Sequence, residues 1–213
     1  MNLIADIRKE YKLQTLNKMD VDENPINQFG KWWAEAMQSN IDEVNAMTLA
    51  TADLDGKPSA RIVLLKGFDE KGFVFFSNYQ SHKAKDMESN ARVSLLFFWK
   101  ELERQIRIEG TVSKISGAES DAYFKSRPQG SKIGAWASPQ SRVISSRKII
   151  EANVSEVEEN FAGNEIERPP HWGGYVVKPA LIEFWQGRAS RLHDRIQYIK
   201  QEGANWKIER LAP

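Results

Sequence analysis

The chain of 213 residues predicts an α+β protein: an antiparallel β-barrel of about six or more strands with peripheral helices. Three observations predict this class. Apolar residues in the first forty or so positions recur at helical spacing, those from Met47 to Ile115 recur at strand period, and hairpin turn signals punctuate the strand runs. Closure of the sheet is favoured because it leaves no exposed edge. One domain over residues 1–213 suits this length, with a helical N-terminal segment over 1–40 and C-terminal strands over 173–213.

Leu3, Ile7 and Tyr11 share one helix face, and Asn24-Pro25 supplies a cap and a first-turn residue for a second helix carrying Ile26, Phe29, Trp33 and Met37. Strands then run over Met47–Asp53, Ser59–Phe68, Gly72–Asn78, Ala91–Lys100 and Arg104–Ile115, with turns at Asp55-Gly56 and Asp69-Glu70-Lys71-Gly72. Their order reads as a meander of hairpins interrupted by a short helix over Ser81–Asn90. In the last of these strands Ile106 and Ile108 alternate with Gln105, Arg107 and Glu109, which puts Gln105 on the wet face. Helices follow near Ala118–Arg127 and Ser145–Phe161, then a strand at Gly174–Trp185 and a final hairpin turning at Glu202-Gly203-Ala204-Asn205.

Composition narrows the function. Thirty basic and twenty-nine acidic side chains leave a net charge of +1, so no global field draws the chain to nucleic acid or to an anionic membrane, and any anion must be held locally. The longest apolar run, Leu95 to Trp99, is too short to span a bilayer, and the first ten residues lack a signal-peptide pattern, so a cytoplasmic location is expected. With no cysteine and only His82, His171 and His193 as histidines, no metal site is expected. Nucleotide-binding glycine motifs, the serine-hydrolase elbow and the zinc-protease motif are absent.

What remains is a set of cations and hydroxyls at element ends. In the run Trp185-Gln186-Gly187-Arg188-Ala189-Ser190-Arg191-Leu192-His193-Asp194-Arg195, an extended backbone puts Arg191, His193 and Arg195 on one face. Such a group either surrounds an anionic ligand or forms a solvated basic strand paired with acids such as Glu183 or Asp194. Tyr123, Arg127 and Ser131 recur at four-residue intervals, with Pro128 ending one helix and Ser131 opening the next. This suits a phosphate cradle, and equally an ordinary helical corner with a surface Tyr and Arg. Arg61 and Lys66 face opposite sides of a regular strand, so both reach one site only if a bulge intervenes. Ser81-His82-Lys83 opens a helix, where phosphate is welcome or where Ser81 simply caps.

Taken together, these residues resemble the pyridoxine/pyridoxamine 5′-phosphate oxidase family over nearly the whole chain. Ile182-Glu183-Phe184-Trp185-Gln186 followed by Arg191-Leu192-His193-Asp194-Arg195 is similar to its C-terminal signature. Arg61–Lys66, Leu102-Glu103-Arg104-Gln105, and Ser126-Arg127-Pro128 through Ile133-Gly134-Ala135-Trp136 match in the same order. The resemblance implies an FMN-binding split β-barrel and a homodimer with FMN at the subunit interface. It implies FMN contacts from Arg61, Ile62, Val63, Leu64, Leu65, Lys66, Phe76 and Ser77, and from His82, Lys83, Gln105, Gln140, Ser141, Trp185 and Arg195. Substrate phosphate falls to Lys66, Tyr123, Arg127 and Ser131, and Arg191 and His193 take the catalytic positions over the pyridine ring, beside Leu192. Arg8, Lys9, Glu10 and Tyr11 resemble a segment that closes over substrate.

The implied reaction is oxidation of pyridoxine 5′-phosphate or pyridoxamine 5′-phosphate to pyridoxal 5′-phosphate, with O2 as acceptor and H2O2 as product. Other readings of the same fold are a phenazine-type oxidase, a flavin reductase, or a non-catalytic carrier of FMN or pyridoxal phosphate. His82 stands where relatives commonly carry Arg, which predicts FMN binding that weakens above neutral pH.

Overall fold

A computed structural model describes residues 4, 6, 9–203 and 205–213. In chain order the elements are α1 (Pro25–Met37), β1 (Ala46–Ala52), β2 (Pro58–Leu64), β3 (Gly67–Asp69), β4 (Gly72–Asn78), α2 (His82–Ser89), β5 (Arg92–Trp99) and β6 (Arg104–Lys114). There follow α3 (Gly117–Lys125), α4 (Gln129–Ala137), α5 (Lys148–Asn160), β7 (Trp172–Gln186), β8 (Asp194–Lys200) and β9 (Trp206–Leu211). The class is α+β, as the sequence predicts. The strands run in the order β2-β1-β5-β6-β7-β4-β3, with β8 joined to β7 and β9 to β8. The β3–β4, β4–β7, β7–β8 and β8–β9 pairings are antiparallel.

Several elements form for reasons visible locally. The Asn24 side chain accepts from Ile26 N at 2.8 Å, and Pro25 occupies the first turn of α1, where its missing N–H costs nothing. Ser116 and Glu119 form a reciprocal capping box at the start of α3. In β6 Ile106 and Ile108 are fully buried, while Gln105 and Arg107 stay half-exposed.

The structure corrects three expectations, and a fourth, the helix through Leu3, Ile7 and Tyr11, falls largely outside the described residues. Leu3 and Ile7 lie outside the described residues, and from Lys9 to Asn17 the chain takes no helix. Its backbone donors go instead to carboxylates, Lys12 N and Leu13 N to Glu103 and Leu16 N to Asp194. The expected strand Ser59–Phe68 breaks at Leu65-Lys66 into β2 and β3. The sheet is not a simple meander, since β4 pairs with β7, so contacts distant in sequence set its order. The Ser81 hydroxyl makes no helix cap; it donates to Asn78 O at 2.8 Å.

The chain divides into two compact units. The first comprises Met1–Leu49, Ser94–Gly110 and Pro179–Pro213. Its core is aromatic, with Phe29 against Phe97 at 5.4 Å, Trp32 edge-on to Phe184 at 5.2 Å, and Phe184 against Tyr198 at 5.6 Å between centroids. The buried Arg104 guanidinium lies 4.2 Å from the Trp32 ring centroid and donates to Gln186 and Glu35. The second unit comprises Ala50–Val93 and Thr111–Lys178. There Phe124, Ile133, Ala135, Ile166 and Trp172 form a buried cluster, with Phe76 and Tyr123 packed on it. Among the described residues no helix is long and apolar enough to cross a membrane.

Candidate functional site

In the second unit a cavity of about 730 Å³ opens between the Arg61–Lys66 segment, the end of β4 and the α3–α4 corner. Four cations line it, Arg61, Lys66, Lys83 and Arg127, and among the described residues no acidic one does. Arg61 and Lys66 reach the same cavity because the strand stops between them; the Lys66 N–H turns back to Val74 O at 2.8 Å. Ile62, Val63 and Leu64 complete that wall, whereas Leu65 is turned into the core at 4% exposure.

Three of these cations are held in different ways. Arg61 donates to Thr51 Oγ1 at 2.8 Å and to Ser59 Oγ at 2.6 Å. Thr51 in turn donates to the buried Asp86 at 2.6 Å, and Asp86 lies 3.8 Å from the Arg61 guanidinium. Lys83 reaches Ser77 Oγ at 3.2 Å and Gln140 Oε1 at 3.4 Å. Burial, and then the charge of Arg61, pull the Lys83 ammonium below its ordinary pKa. The Arg127 guanidinium stands over the Trp172 indole, its Nη1 buried without a hydrogen-bond partner. Phe76 and Tyr123 stack at 3.9 Å, and Phe76 and Trp172 at 5.3 Å, so the cavity also has a flat aromatic wall.

Tyr123, Arg127 and Ser131 therefore converge, as their spacing suggests. The Ser131 N–H is taken by Pro128 O at 2.9 Å, so this residue offers the cavity its hydroxyl rather than a free amide. Asn78 and Ser126 also line the wall; nothing in their spacing marks them, since strand and helix ends become wall only through packing. His82 does not line the cavity. Its imidazole lies 3.6 Å from Asp86, on an exposed side chain. Ser141 follows Gln140 in an exposed turn at φ 69°.

In the first unit a cavity of about 650 Å³ is lined by Lys9, Glu10, Tyr11, Arg188, Ser190, Arg191 and His193. Arg8 lies outside the described residues. The backbone here is not extended as expected. Residues Ala189–Arg191 form a 3-10 turn, with Ser190 and Arg191 at φ 56° and 62°, so Arg191, His193 and Arg195 do not share a strand face. Arg195 sits opposite Trp185 across β7 and β8 and reaches diagonally to Glu183 at 2.7 Å. Glu183, buried, also accepts from Arg107 at 2.6 Å. Asp194 takes Arg188 and Arg210, each at 2.8 Å. Of the basic run, Arg195 is paired with an acid, while Arg191 makes no hydrogen bond or ion pair among the described residues.

His193 Nδ1 accepts from Arg188 N at 3.1 Å, which leaves the proton of the neutral ring on Nε2. Burial, and then Arg191, hold its pKa below the ordinary value. Trp185 packs 4.5 Å from His193 and 5.8 Å from Tyr11 between centroids. Leu192 is exposed, and Gln105 is half-buried on β6.

Comparison with known proteins bears on both regions. A family model described as pyridoxamine 5′-phosphate oxidase matches residues 34–161, and one described as the pyridoxine 5′-phosphate oxidase C-terminal dimerisation region matches residues 172–213. A pyridoxine/pyridoxamine 5′-phosphate oxidase of Paraburkholderia phymatum is 58% identical over 213 residues, covering all of both chains. One of Cupriavidus metallidurans is 56% identical over the same span. Among solved structures, PhzG from Burkholderia lata 383 in complex with tetrahydrophenazine-1-carboxylic acid superposes with a TM-score of 0.88 at 30% identity, covering 94% of this chain and 99% of that one. A pyridoxamine 5′-phosphate oxidase-related, FMN-binding protein from Nostoc punctiforme gives 0.71 at 17% identity, covering 91% of this chain and 100% of that one, which speaks for the fold.

Proposed function

The chain belongs to the pyridoxamine 5′-phosphate oxidase family, and we propose that its two lined regions serve FMN-dependent oxidation of pyridoxine 5′-phosphate and pyridoxamine 5′-phosphate to pyridoxal 5′-phosphate. One observation carries the reading. The larger cavity presents four cations and no carboxylate, with the Arg127 Nη1 buried and unpartnered. An unpaired buried donor is costly, and a phosphate oxygen satisfies it.

The residues fit a flavin phosphate and a substrate phosphate side by side. Arg61 and Lys83, with Ser77 and Gln140, are assigned to FMN; Lys66, Tyr123, Arg127 and Ser131 are assigned to the substrate. Bound FMN would supply the two-electron oxidation at the substrate's C4′ carbon with O2 as final acceptor, giving H2O2; with the amine substrate, water would then replace the nitrogen at C4′ and ammonia would leave. The protein orients and polarises. Arg191, without a carboxylate partner among the described residues, is placed to balance negative charge on the substrate's phenolate oxygen, and His193, with Nδ1 engaged by Arg188 N, offers Nε2–H as a donor.

The match of residues 172–213 to a dimerisation region supports a homodimer with FMN at the subunit interface, in which each protomer's Arg191 and His193 complete the other's cavity. Cytoplasmic location is part of the same proposal. A carboxylated phenazine is the rival substrate, given the likeness to PhzG. The Tyr123, Arg127 and Ser131 cradle favours the phosphate ester.

The test is anaerobic addition of pyridoxine 5′-phosphate to the FMN-loaded protein, followed by air. Bleaching of the flavin, reoxidation and formation of pyridoxal phosphate and peroxide are expected. Flavin that binds but stays oxidised with both the alcohol and the amine phosphate refutes the substrate assignment.

A further inference from the structure

Glu103 has no part in the site as described, although it lies in the Leu102-Glu103-Arg104-Gln105 run. It is a buried carboxylate, 3% exposed, on a left-handed backbone at φ 55°, uncommon for a non-glycine residue, where the Lys100–Leu102 turn ends. One carboxylate oxygen accepts from Lys12 N at 2.8 Å and Leu13 N at 3.1 Å, and the other lies 3.6 Å from Lys9 Nζ. Its backbone carbonyl accepts from Gly187 N at 2.8 Å and from Gln186 Nε2 at 3.2 Å. One residue therefore grips two chain segments: the one that carries Lys9, Glu10 and Tyr11, and the strand end that leads into Arg188, Arg191 and His193.

Tyr11 is where the two meet. A Cβ on Gly187 would lie 2.7 Å from Tyr11 Cγ, so glycine is what lets the ring lie against this strand end. The ring sits 5.8 Å from Trp185 and 6.1 Å from His193. The segment has no helix of its own to stiffen it, so side-chain acceptors set its place. Arg104, next to Glu103, donates to Gln14 and continues the same seam.

We propose that Glu103 is a positioning residue for substrate: its carboxylate latches the Lys9–Leu13 segment so that Tyr11 and Lys9 form a preset wall beside Arg191 and His193. This rests on the reading of that cavity as the substrate's. Glutamine in its place keeps the shape and one acceptor oxygen but loses the charge, which weakens the bonds from Lys12 N and Leu13 N and sets an amide N–H toward Lys9 Nζ.

The experiment uses the full-length, FMN-loaded protein. Glu103→Gln is expected to raise KM for pyridoxine 5′-phosphate roughly tenfold, with kcat and FMN affinity changing far less, and to lower amide-exchange protection at Lys12 and Leu13. Tyr11→Ala is expected to raise KM similarly, and the double variant to be no worse than the worse single one, because both remove the same wall. Multiplying KM effects, or unchanged protection at Lys12 and Leu13, overturn the proposal. If Glu103→Gln fails to fold, Glu103→Asp replaces it, keeping the charge while withdrawing the oxygens from both N–H groups, with the same direction expected. If the wild type does not turn over the phosphate ester, the functional reading fails, and the latch is judged by amide exchange alone.

Discussion

The Arg127 guanidinium carbon lies 4.4 Å from the centroid of the Trp172 ring, and its Nη1 is buried without a hydrogen-bond partner among the described residues. Burial holds its pKa below the ordinary arginine value, with Tyr123 opposing. The indole holds the plane of the fork while one donor faces the cavity, an arrangement made for an incoming anion. Arg127→Ala should raise KM for pyridoxine 5′-phosphate by about ten- to a hundredfold, the loss of one charged hydrogen bond of about 1.5–3 kcal/mol. Arg127→Lys should recover only part, because ammonium does not stack or fork. Steady-state kinetics decide; a KM within about threefold of wild type for the alanine variant removes Arg127 from the phosphate site.

Lys83 supplies a pH dependence. Burial first, and Arg61 second, lower its pKa from the ordinary 10.5. In the free protein the ammonium therefore loses its proton below that value, whereas a bound phosphate favours the charged form. FMN affinity should fall as pH rises from the lowered free value toward the higher bound one. In Lys83→Arg the fall should vanish, since guanidinium keeps its proton. Fluorescence titration of FMN across mildly to strongly alkaline pH, on both proteins, checks this; parallel curves contradict it.

Glu183 ties Arg107 and Arg195 together from a side chain 3% exposed. Burial alone pushes its carboxyl up, but hydrogen bonds from Arg195 and Arg107 outweigh it and leave the pKa below the ordinary 4.5. A depressed carboxyl contributes stability that is full above its unfolded pKa and is lost as pH falls through the folded one. Glu183→Gln should cost about 2–3 kcal/mol at neutral pH, less than a fully buried pair because both arginines touch solvent. The gap between wild type and variant in urea melts should narrow steadily below pH 4.5. A gap that stays constant into acid assigns the loss to packing instead.

Gly72 opens β4 at φ 133°, and a Cβ there would lie 2.2 Å from Val177 O. Neither the backbone angle nor the neighbouring strand leaves room. Gly72→Ala should destabilise the fold by roughly 2–4 kcal/mol through strain and loss of β4–β7 pairing. Because Lys66 N is tied to Val74 O in the same hairpin, FMN affinity should drop with it. Thermal melts and flavin retention on the same sample measure both; loss of either one alone contradicts the coupling between strand pairing and the cofactor wall.

Much of this was legible in local patterns. The Asn24-Pro25 cap announced α1, alternation in β6 placed Gln105 on the wet face, and four-residue spacing brought Tyr123, Arg127 and Ser131 to one corner. The strand break at Leu65-Lys66 was not legible, because both residues suit a strand; the chain passes there from pairing with β1 to pairing with β4, with Lys66 N already bonded to Val74 O. The expected helix through Leu3, Ile7 and Tyr11 lies largely outside the described residues; where the description resumes, from Lys9 to Asn17, no helix forms and Lys12 N finds Glu103, ninety-one positions away. Periodicity cannot register an acceptor that distant.

By itself, then, the sequence determined the elements, the cationic inventory and the family, since these depend on neighbours within a turn or a strand period and on motif order. The tertiary structure decided which cations are spent on carboxylates and which are left for a ligand. Arg195 and Arg107 close on Glu183, and Arg188 and Arg210 close on Asp194, while Arg191 and the Arg127 Nη1 stay unpaired among the described residues. The reason is physical: whether a charge is paired depends on which strands lie side by side and how deeply they bury it, and neither is a local property of the chain.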